Sequence, residues 1–368
     1  MTAKREPVIE NPKEIVPTEF SDFHIEVYFC PRENCTLALL NLLKSANSSI
    51  HCALYDLDLT PIINFLYQSN LDIKIVTDTD NYENIEHLNE RSSHGAGEAG
   101  EAPSGVPSEE RSDDSRHDWL DFEQIPIVKH DNRSALMHNK FCIIDNRVIF
   151  TGSFNPTNNC AYRNNNNMLI IHSRYLSENY EAEFQELWSG TFGKGNPTPY
   201  PVIYLNGKRI ENHFCPEDNC AYQIQKHIRT ANRSIYFTAF SFTHPSIAID
   251  LVIKHRQGID IKGVFEKTRI SNYSMYHLLK YQGINVSLDK NKYVMHHNIT
   301  LPINYYPKLG VLHHKFFVID NRTVITGSFN PSANADTRND ENIIIIEDPE
   351  IASEFLHEFE LIWARSAG

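Results

Sequence analysis

Apolar residues fall in short runs whose spacing changes along the chain. After FCPRENC the segment TLALLNLLK has apolar residues at helical spacing, and strand formers follow from Ser49 to Leu57. LDIKIVTD is a further short apolar run and predicts a buried strand. KFCIID and VIFTG are separated by Asn146-Arg147, which predicts a hairpin turning at those two residues. EAEFQELW closes the stretch, with Phe184 and Leu187 three apart on one helical face. The same order then recurs: FCPEDNC and a helix, strand formers from Ser234 to Phe242, IDIKGVFE, KFFVID, VITG, and LHEFELIW with Phe359 and Ile362. Trp188 and Trp363 are 175 residues apart, and so are His138 and His313. One unit is written twice. Strands alternating with helices predict two α/β domains of one kind.

GTFGKGNPTPYP is rich in Gly and Pro and separates the two units. The division expected is an N-terminal extension at 1–20, a first domain at 21–190, a linker at 191–201 and a second domain at 202–368. Within the first domain, HGAGEAGEAPSGVPSEERSDDSRHD has almost no apolar residues, so 90–118 is expected to be a disordered acidic insertion. The second domain carries a different insertion, KNKYVMHHNITLPINYYPK, whose tyrosines predict better order.

Composition narrows the class. At 368 residues, 41% hydrophobic and 22% charged, the chain has the balance of a soluble globular protein. No apolar run approaches the roughly 20 residues that cross a bilayer. The N-terminus MTAKREPVIENPKEIVP is charged and broken by Pro, so a cytoplasmic protein without stable membrane association is expected. The net charge of −13 argues against a generally basic surface. Between Glu90 and Asp118, however, eight acids against three bases hold part of that charge. An acidic chain still binds a phosphodiester where its cations converge. Seven cysteines without a secretion signal do not predict a disulfide framework. The repeated pairs Cys30/Cys35 and Cys215/Cys220 read first as small buried packing groups, with a local disulfide or a metal site as alternatives.

The chemistry lies in the repeated sentence. His138-x-Lys140 is followed by Asp145 and then by Gly152-Ser153-Phe154-Asn155; His313-x-Lys315 is followed at identical spacing by Asp320 and Gly327-Ser328-Phe329-Asn330. Residues two apart on a strand face one side, so each His points with its Lys. The returning strand brings Ser153 and Asn155, or Ser328 and Asn330, back beside them. An imidazole, an ammonium, a hydroxyl and an amide around one point form an anion site suited to phosphate oxygens. Imidazole alone among them titrates near neutrality. Two such sites brought together let one imidazole attack phosphorus while the other protonates the leaving oxygen.

HNKFCIID…GSFN and HHKFFVID…GSFN resemble the paired HKD motifs of the phospholipase D superfamily, and the likeness runs from about Val27 to Trp363. It implies two tandem phospholipase D-like domains, each a mixed β-sheet flanked by helices. Together they would form a pseudo-two-fold bilobal unit with the active site between the halves. Members cleave lipids, DNA, RNA and protein–DNA adducts. The ending GSFNPSANADTRNDENIIII is similar to the small nuclease branch, whose one-motif subunits dimerise. Here one chain would hold both, as a monomeric pseudo-dimer. The family acid after the motif hydrogen-bonds an active-site His, commonly that of the opposite half. That implies Glu341 orients His138, while His313 is left with Asn166, the neutral residue at the matching place.

The function expected is therefore a metal-independent phosphodiesterase working through phosphohistidine, with no cofactor. The substrate expected is nucleic acid, DNA before RNA and single strands before duplexes. A lipid phosphodiesterase or phosphatidyltransferase and a catalytically idle nucleic-acid-binding module are the rivals. Asn166, Arg163 and Arg338 near the phosphate, and Tyr305 and Tyr306 as stacking faces, are the candidate binding residues.

Overall fold

The computed structural model describes residues 16–20, 24–90, 127–291 and 310–367. The acidic segment beyond Glu90, and Tyr305 and Tyr306, lie outside the described residues. The chain opens with a short strand β1 (Thr18–Glu19) and then lays down a first sheet. Its strands are β2 (Glu26–Cys30), β3 (Ser49–Leu54), β4 (Asp72–Thr77), β5 (Val128–His130), β6 (Lys140–Ile144), β7 (Val148–Gly152) and β8 (Asn166–His172). They are ordered β2-β8-β7-β6-β3-β4-β5, with β3-β4-β5 parallel and the other pairings antiparallel. Among the described residues of this half, the α-helices are α1 (Cys35–Lys44), α2 (Thr60–Gln68), α3 (Asn158–Tyr162) and α4 (Arg174–Trp188).

The second sheet repeats the plan. Strand β9 (Val202–Leu205) precedes β10 (Lys208–Cys215), β11 (Ser234–Ala239), β12 (Asp260–Phe265), β13 (Asn285–Leu288), β14 (Lys315–Ile319), β15 (Thr323–Gly327) and β16 (Glu341–Glu347). The helices are α5 (Cys220–Thr230), α6 (Pro245–Arg256), α7 (Met275–Tyr281), α8 (Ala333–Thr337) and α9 (Pro349–Ala367). The order is β1-β9-β10-β16-β15-β14-β11-β12-β13. The N-terminal extension thus adds its strand to the sheet of the far half, where Thr18 pairs with Tyr204.

Apolar faces dictate the layering. Helices α1 and α2 cover one face of the first sheet, and α5, α6 and α7 one face of the second. The amphipathic helices α4 and α9 lie between the sheets: α4 packs on β3, β4, β6 and β7 and reaches β10, while α9 packs on β11 to β15 and reaches β2. Phe141, Phe184, Phe214, Phe316, Phe355 and Phe359 join one buried cluster that draws on both halves. The two units therefore share a core.

Each motif hairpin turns on two residues in left-handed backbone, Asp145 and Asn146 at φ 52° and 51°, Asp320 and Asn321 at 54° and 52°. Arg147 N–H closes the turn on Ile144 O at 3.0 Å. The turn therefore sits one residue earlier than Asn146-Arg147, because Asp and Asn tolerate positive φ and Arg does not. Gly152, at φ 136°, ends β7 where a Cβ would stand 2.5 Å from Asn167 O. That approach is open only to glycine.

The cysteine expectation is corrected. Six of the seven are paired: Cys30–Cys35, Cys215–Cys220 and Cys52–Cys142, with Cα–Cα distances of 5.9, 5.7 and 4.1 Å; Cys160 is free and buried. In the repeated pairs a strand end and a helix start meet across a Pro turn, which brings the thiols together. The third pair depends on Cys52 standing opposite Cys142 across β3 and β6. Spacing along the chain carries no trace of that register.

Candidate active site

The two histidine segments cross between halves. His138 N–H donates to Asp340 O at 2.9 Å and Asp340 N–H to Leu136 O at 2.9 Å. Symmetrically, His313 N–H donates to Asn165 O and Asn165 N–H to Val311 O, both at 3.0 Å. Each exchange places the first residue of the opposite sheet's last strand against a catalytic ring. His138 Nδ1 lies 2.8 Å from Glu341 Oε2, and His313 Nδ1 lies 2.7 Å from Asn166 Oδ1. Glu341 and Asn166 are fully buried.

Lys140 and Lys315 begin β6 and β14 and are buried beside their histidines. Lys140 Nζ donates to His138 O at 2.6 Å; Lys315 Nζ donates to His313 O at 2.8 Å and lies 3.1 Å from His313 Nε2. The serines do something other than face an anion. Ser328 Oγ donates to Glu341 Oε2 at 2.6 Å and accepts Asn342 N–H at 3.0 Å. Ser153 Oγ stands 3.5 Å from Asn166 Oδ1 and accepts Asn167 N–H at 3.0 Å. They fix the partners of the histidines. Asn155 and Asn330 each keep a buried Oδ1 without a protein partner, and Asn155 Nδ2 approaches Cys160 Sγ at 3.9 Å.

Burial and crowding of like charge set the electrostatics. Burial, then Lys140 and Lys315, pushes the His138 imidazole well below its ordinary pKa. Burial, then Lys315 and Lys140, does the same to His313. Burial lowers the Lys140 ammonium to about 8, although Glu341 opposes it, and burial with Lys140 pushes Lys315 well down. Burial raises the Glu341 carboxyl to about 7 against the pull of Lys140. Burial thus favours neutral groups, and an arriving phosphodiester anion favours their charged forms.

Asp145 and Asp320, which the motif spacing groups with the catalytic histidines and lysines, stand away from them. Asp145 sits at the far end of β6, where its carboxylate accepts the backbone N–H groups of Asn47, Ser48 and Ser49 at 2.8, 2.8 and 2.9 Å. Asp320 accepts those of Asn232, Arg233 and Ser234 at 2.8, 2.7 and 2.9 Å. Five residues of extended strand separate each from its histidine, so both anchor hairpins. Arg163 and Arg338 follow α3 and α8; Arg163 Nη1 bonds Asn159 Oδ1 at 3.1 Å and Arg338 Nη2 bonds Ser134 Oγ at 3.3 Å.

Sequence reasoning missed the aromatic walls. Tyr55 meets His138 edge-on at 5.0 Å, and Phe240 meets His313 at 4.7 Å. Each follows its half's β3 or β11 strand, and parallel placement in the repeat is the signal that would have found them. It also missed Asp78 and Glu266, which accept Met137 N–H at 3.0 Å and Leu312 N–H at 2.7 Å, one residue before each histidine. Among the described residues, Glu183, Glu186 and Glu217 gather three carboxylates that could hold a metal ion. Glu183 reaches Asn139 at 3.3 Å rather than either histidine. No helix of the described residues is long and apolar enough to cross a membrane.

The family described as "Cardiolipin synthase, PLD-like domain" matches residues 39–188 and 224–363, well over half of the chain. Phospholipase D of Rickettsia bellii is 32% identical over 158 residues, which are 43% of this chain and 70% of that protein. Human mitochondrial cardiolipin hydrolase is 32% identical over 134 residues, covering 36% of this chain and 46% of that one. Among solved structures, phosphatidylserine synthase from Haemophilus influenzae shares the fold with a TM-score of 0.61 at 10% identity, over 90% of this chain and 85% of that chain. Nuc from Salmonella typhimurium, a phospholipase D family member, is 28% identical over 43% of this chain and 95% of its own, with a TM-score of 0.37. Two family matches in tandem, each containing one histidine–lysine pair, make the chain a phosphodiesterase of the phospholipase D superfamily.

Proposed function

We propose that the chain is a metal-independent nuclease that cleaves phosphodiesters through a phosphohistidine on His138. The observation that carries the reading is the unequal pairing of the two imidazoles. A carboxylate at 2.8 Å accepts the Nδ1 proton of His138, leaves Nε2 with its lone pair toward phosphorus, and stabilises the cation formed on phosphorylation. An amide at 2.7 Å orients His313 without holding its proton as strongly, which suits a general acid.

The steps balance as follows. His138 Nε2 attacks phosphorus, the bond to the leaving oxygen breaks, and His313, protonated when the anion binds, delivers a proton to that oxygen. His313 then takes a proton from water, the hydroxide displaces His138, and a phosphomonoester leaves. Lys140 and Lys315 supply the positive charge that stabilises the phosphoryl oxygens.

Nucleic acid is favoured over lipid by the surroundings of the recess. His138 and His313 are only 7% and 8% exposed, so the scissile phosphate must enter a recess that a flexible single strand reaches more readily than a duplex. Among the described residues, Leu37, Tyr222, Ile249, Ile253 and Tyr281 are exposed apolar side chains on α1, α5, α6 and α7, the helices on the outer faces, while Phe20, Tyr273 and Leu361 are exposed elsewhere. The lipid reading is supported by the description of the matching family and by the names of the relatives in Rickettsia and human. The test is incubation with labelled single- and double-stranded DNA, RNA, and phosphatidylcholine or cardiolipin vesicles, with and without EDTA. Cleavage of single-stranded DNA in EDTA is expected. Turnover of vesicles alone would overturn the substrate, and restoration only by Mg²⁺ or Mn²⁺ would overturn the metal-free chemistry.

A further inference from the structure

The two walls of the recess are built at matching positions from unlike residues. Leu54 pairs with Thr77 at the end of β3 and β4, as Ala239 pairs with Phe265 at the end of β11 and β12. That register matches Tyr55 with Phe240, Asp56 with Ser241, Asp78 with Glu266 and Asn81 with Arg269. On the second-half wall, the Arg269 guanidinium lies 4.6 Å from the Phe240 ring centroid. The same ring meets His313 at 4.7 Å and has Lys315 Nζ at 5.1 Å. Arg269 is exposed and so extends the cationic column outward from the buried site.

Among the described residues, the first-half wall shows no such cation. Asn81 spends its amide on Tyr55 O at 2.9 Å, and the Tyr55 ring has Lys140 Nζ at 5.1 Å. Half-buried Asp56 and Asp58 stand just beyond it, and buried Asp78 lies behind. Burial lowers both ammonium pKa values, but Asp56 and Asp78 oppose the shift at Lys140 whereas Arg269 adds to it at Lys315. One wall carries positive charge outward and the other surrounds its lysine with acids.

We propose that Arg269 makes the second-half wall a subsite for a leaving group that itself carries negative charge, such as a further phosphate. The inference rests on His313 being the acid at the leaving oxygen, since that places the departing group on the Phe240–Arg269 side. The central phosphate is already met by two ammonium groups. A second anion on the departing side meets Arg269, and one on the first-half side meets Asp56 and Asp78. In a nucleic acid the departing strand, with its next phosphate, runs out past Phe240. Arg269 sets specificity and performs no bond-making step.

Two chromogenic diesters test this without assuming a nucleic acid or lipid substrate: methyl 4-nitrophenyl phosphate, and its analogue with a 3-carboxylate on the leaving phenol. Rates are normalised to each compound's reaction with hydroxide, and kcat/KM is compared as a ratio within each variant. The wild-type ratio should favour the carboxylate by about fivefold, the scale of one partly exposed charge pair. Arg269→Ala should bring the ratio to about one, and Arg269→Lys should retain most of it. A ratio equal in wild type and Arg269→Ala, or a wild-type enzyme that rejects the anionic leaving group, would overturn the proposal. Mapping the phosphohistidine decides the His138/His313 assignment separately, and the substrate panel decides the nuclease reading separately. Failure of either is thereby distinguished from failure of the subsite.

Discussion

At the scale of the residue, the site depends on which protons its buried groups keep. Glu341 must be ionised to accept from His138, and burial has raised its pKa to about 7. Activity should therefore rise as pH increases through about 7. Lys140 must stay protonated to meet phosphate, and burial has lowered its pKa to about 8, so activity should fall as pH increases beyond that. For an activated diester whose leaving group needs no proton from His313, the profile of kcat/KM against pH is expected to be a narrow bell. Glu341→Gln should lower kcat/KM on the order of 100-fold and remove the acidic limb. An unchanged limb in that variant would assign it to another group. His138, held well below its ordinary value by burial and the two lysines, stays neutral across this window and keeps its lone pair.

At the scale of the element, the hairpin explains why an aspartate recurs in both motifs. Burial alone would raise the Asp145 pKa, but hydrogen bonds from Ser49, Ser48 and Asn47 outweigh it and hold the carboxyl below the usual range. These bonds tie the hairpin to the start of β3, which carries Tyr55 at its other end. Asp145→Ala should cost about 2 kcal/mol of stability, by analogy with a lost helix cap. It should change turnover of a small diester by less than about twofold, within the ordinary effect of remote substitutions. A folded pKa below the unfolded one stabilises above about pH 4 and loses that contribution as pH falls, so the stability deficit of the variant should shrink in acid. Full stability with strongly reduced turnover would return Asp145 to the catalytic set. The spacing of His138, Lys140 and Ser153 was legible because the strand period is two and the turn is short. The matching places of Tyr55 and Phe240 in the repeat were legible, but their contact with the histidines and the place of Arg269 were not, because sheet order rather than sequence spacing brings β3, β11 and the turn after β12 to the site. Cys52–Cys142 was hidden for the same reason.

At the scale of the molecule, the repeat was plain in the sequence, and the shared core was not. Helices α4 and α9 carry ordinary amphipathic patterns, and only their placement between the sheets shows that each also reaches the other half. Phe184 and Phe359 lie in one cluster, and His138 and His313 each bond across the interface. The halves should unfold together in a single calorimetric transition. Two separated transitions would show independent domains and weaken the exchange of partners between them. That exchange is what assigns chemistry to each histidine, and trapping the covalent intermediate tests it most directly. His313→Ala, lacking the proton donor and the base for water, should accumulate a slowly resolving adduct from an activated diester with a good leaving group. Quenched without acid and mapped by mass spectrometry, the phosphate should be found on His138. If wild type and His138→Ala instead carry it on His313, the roles are reversed and the central claim is wrong.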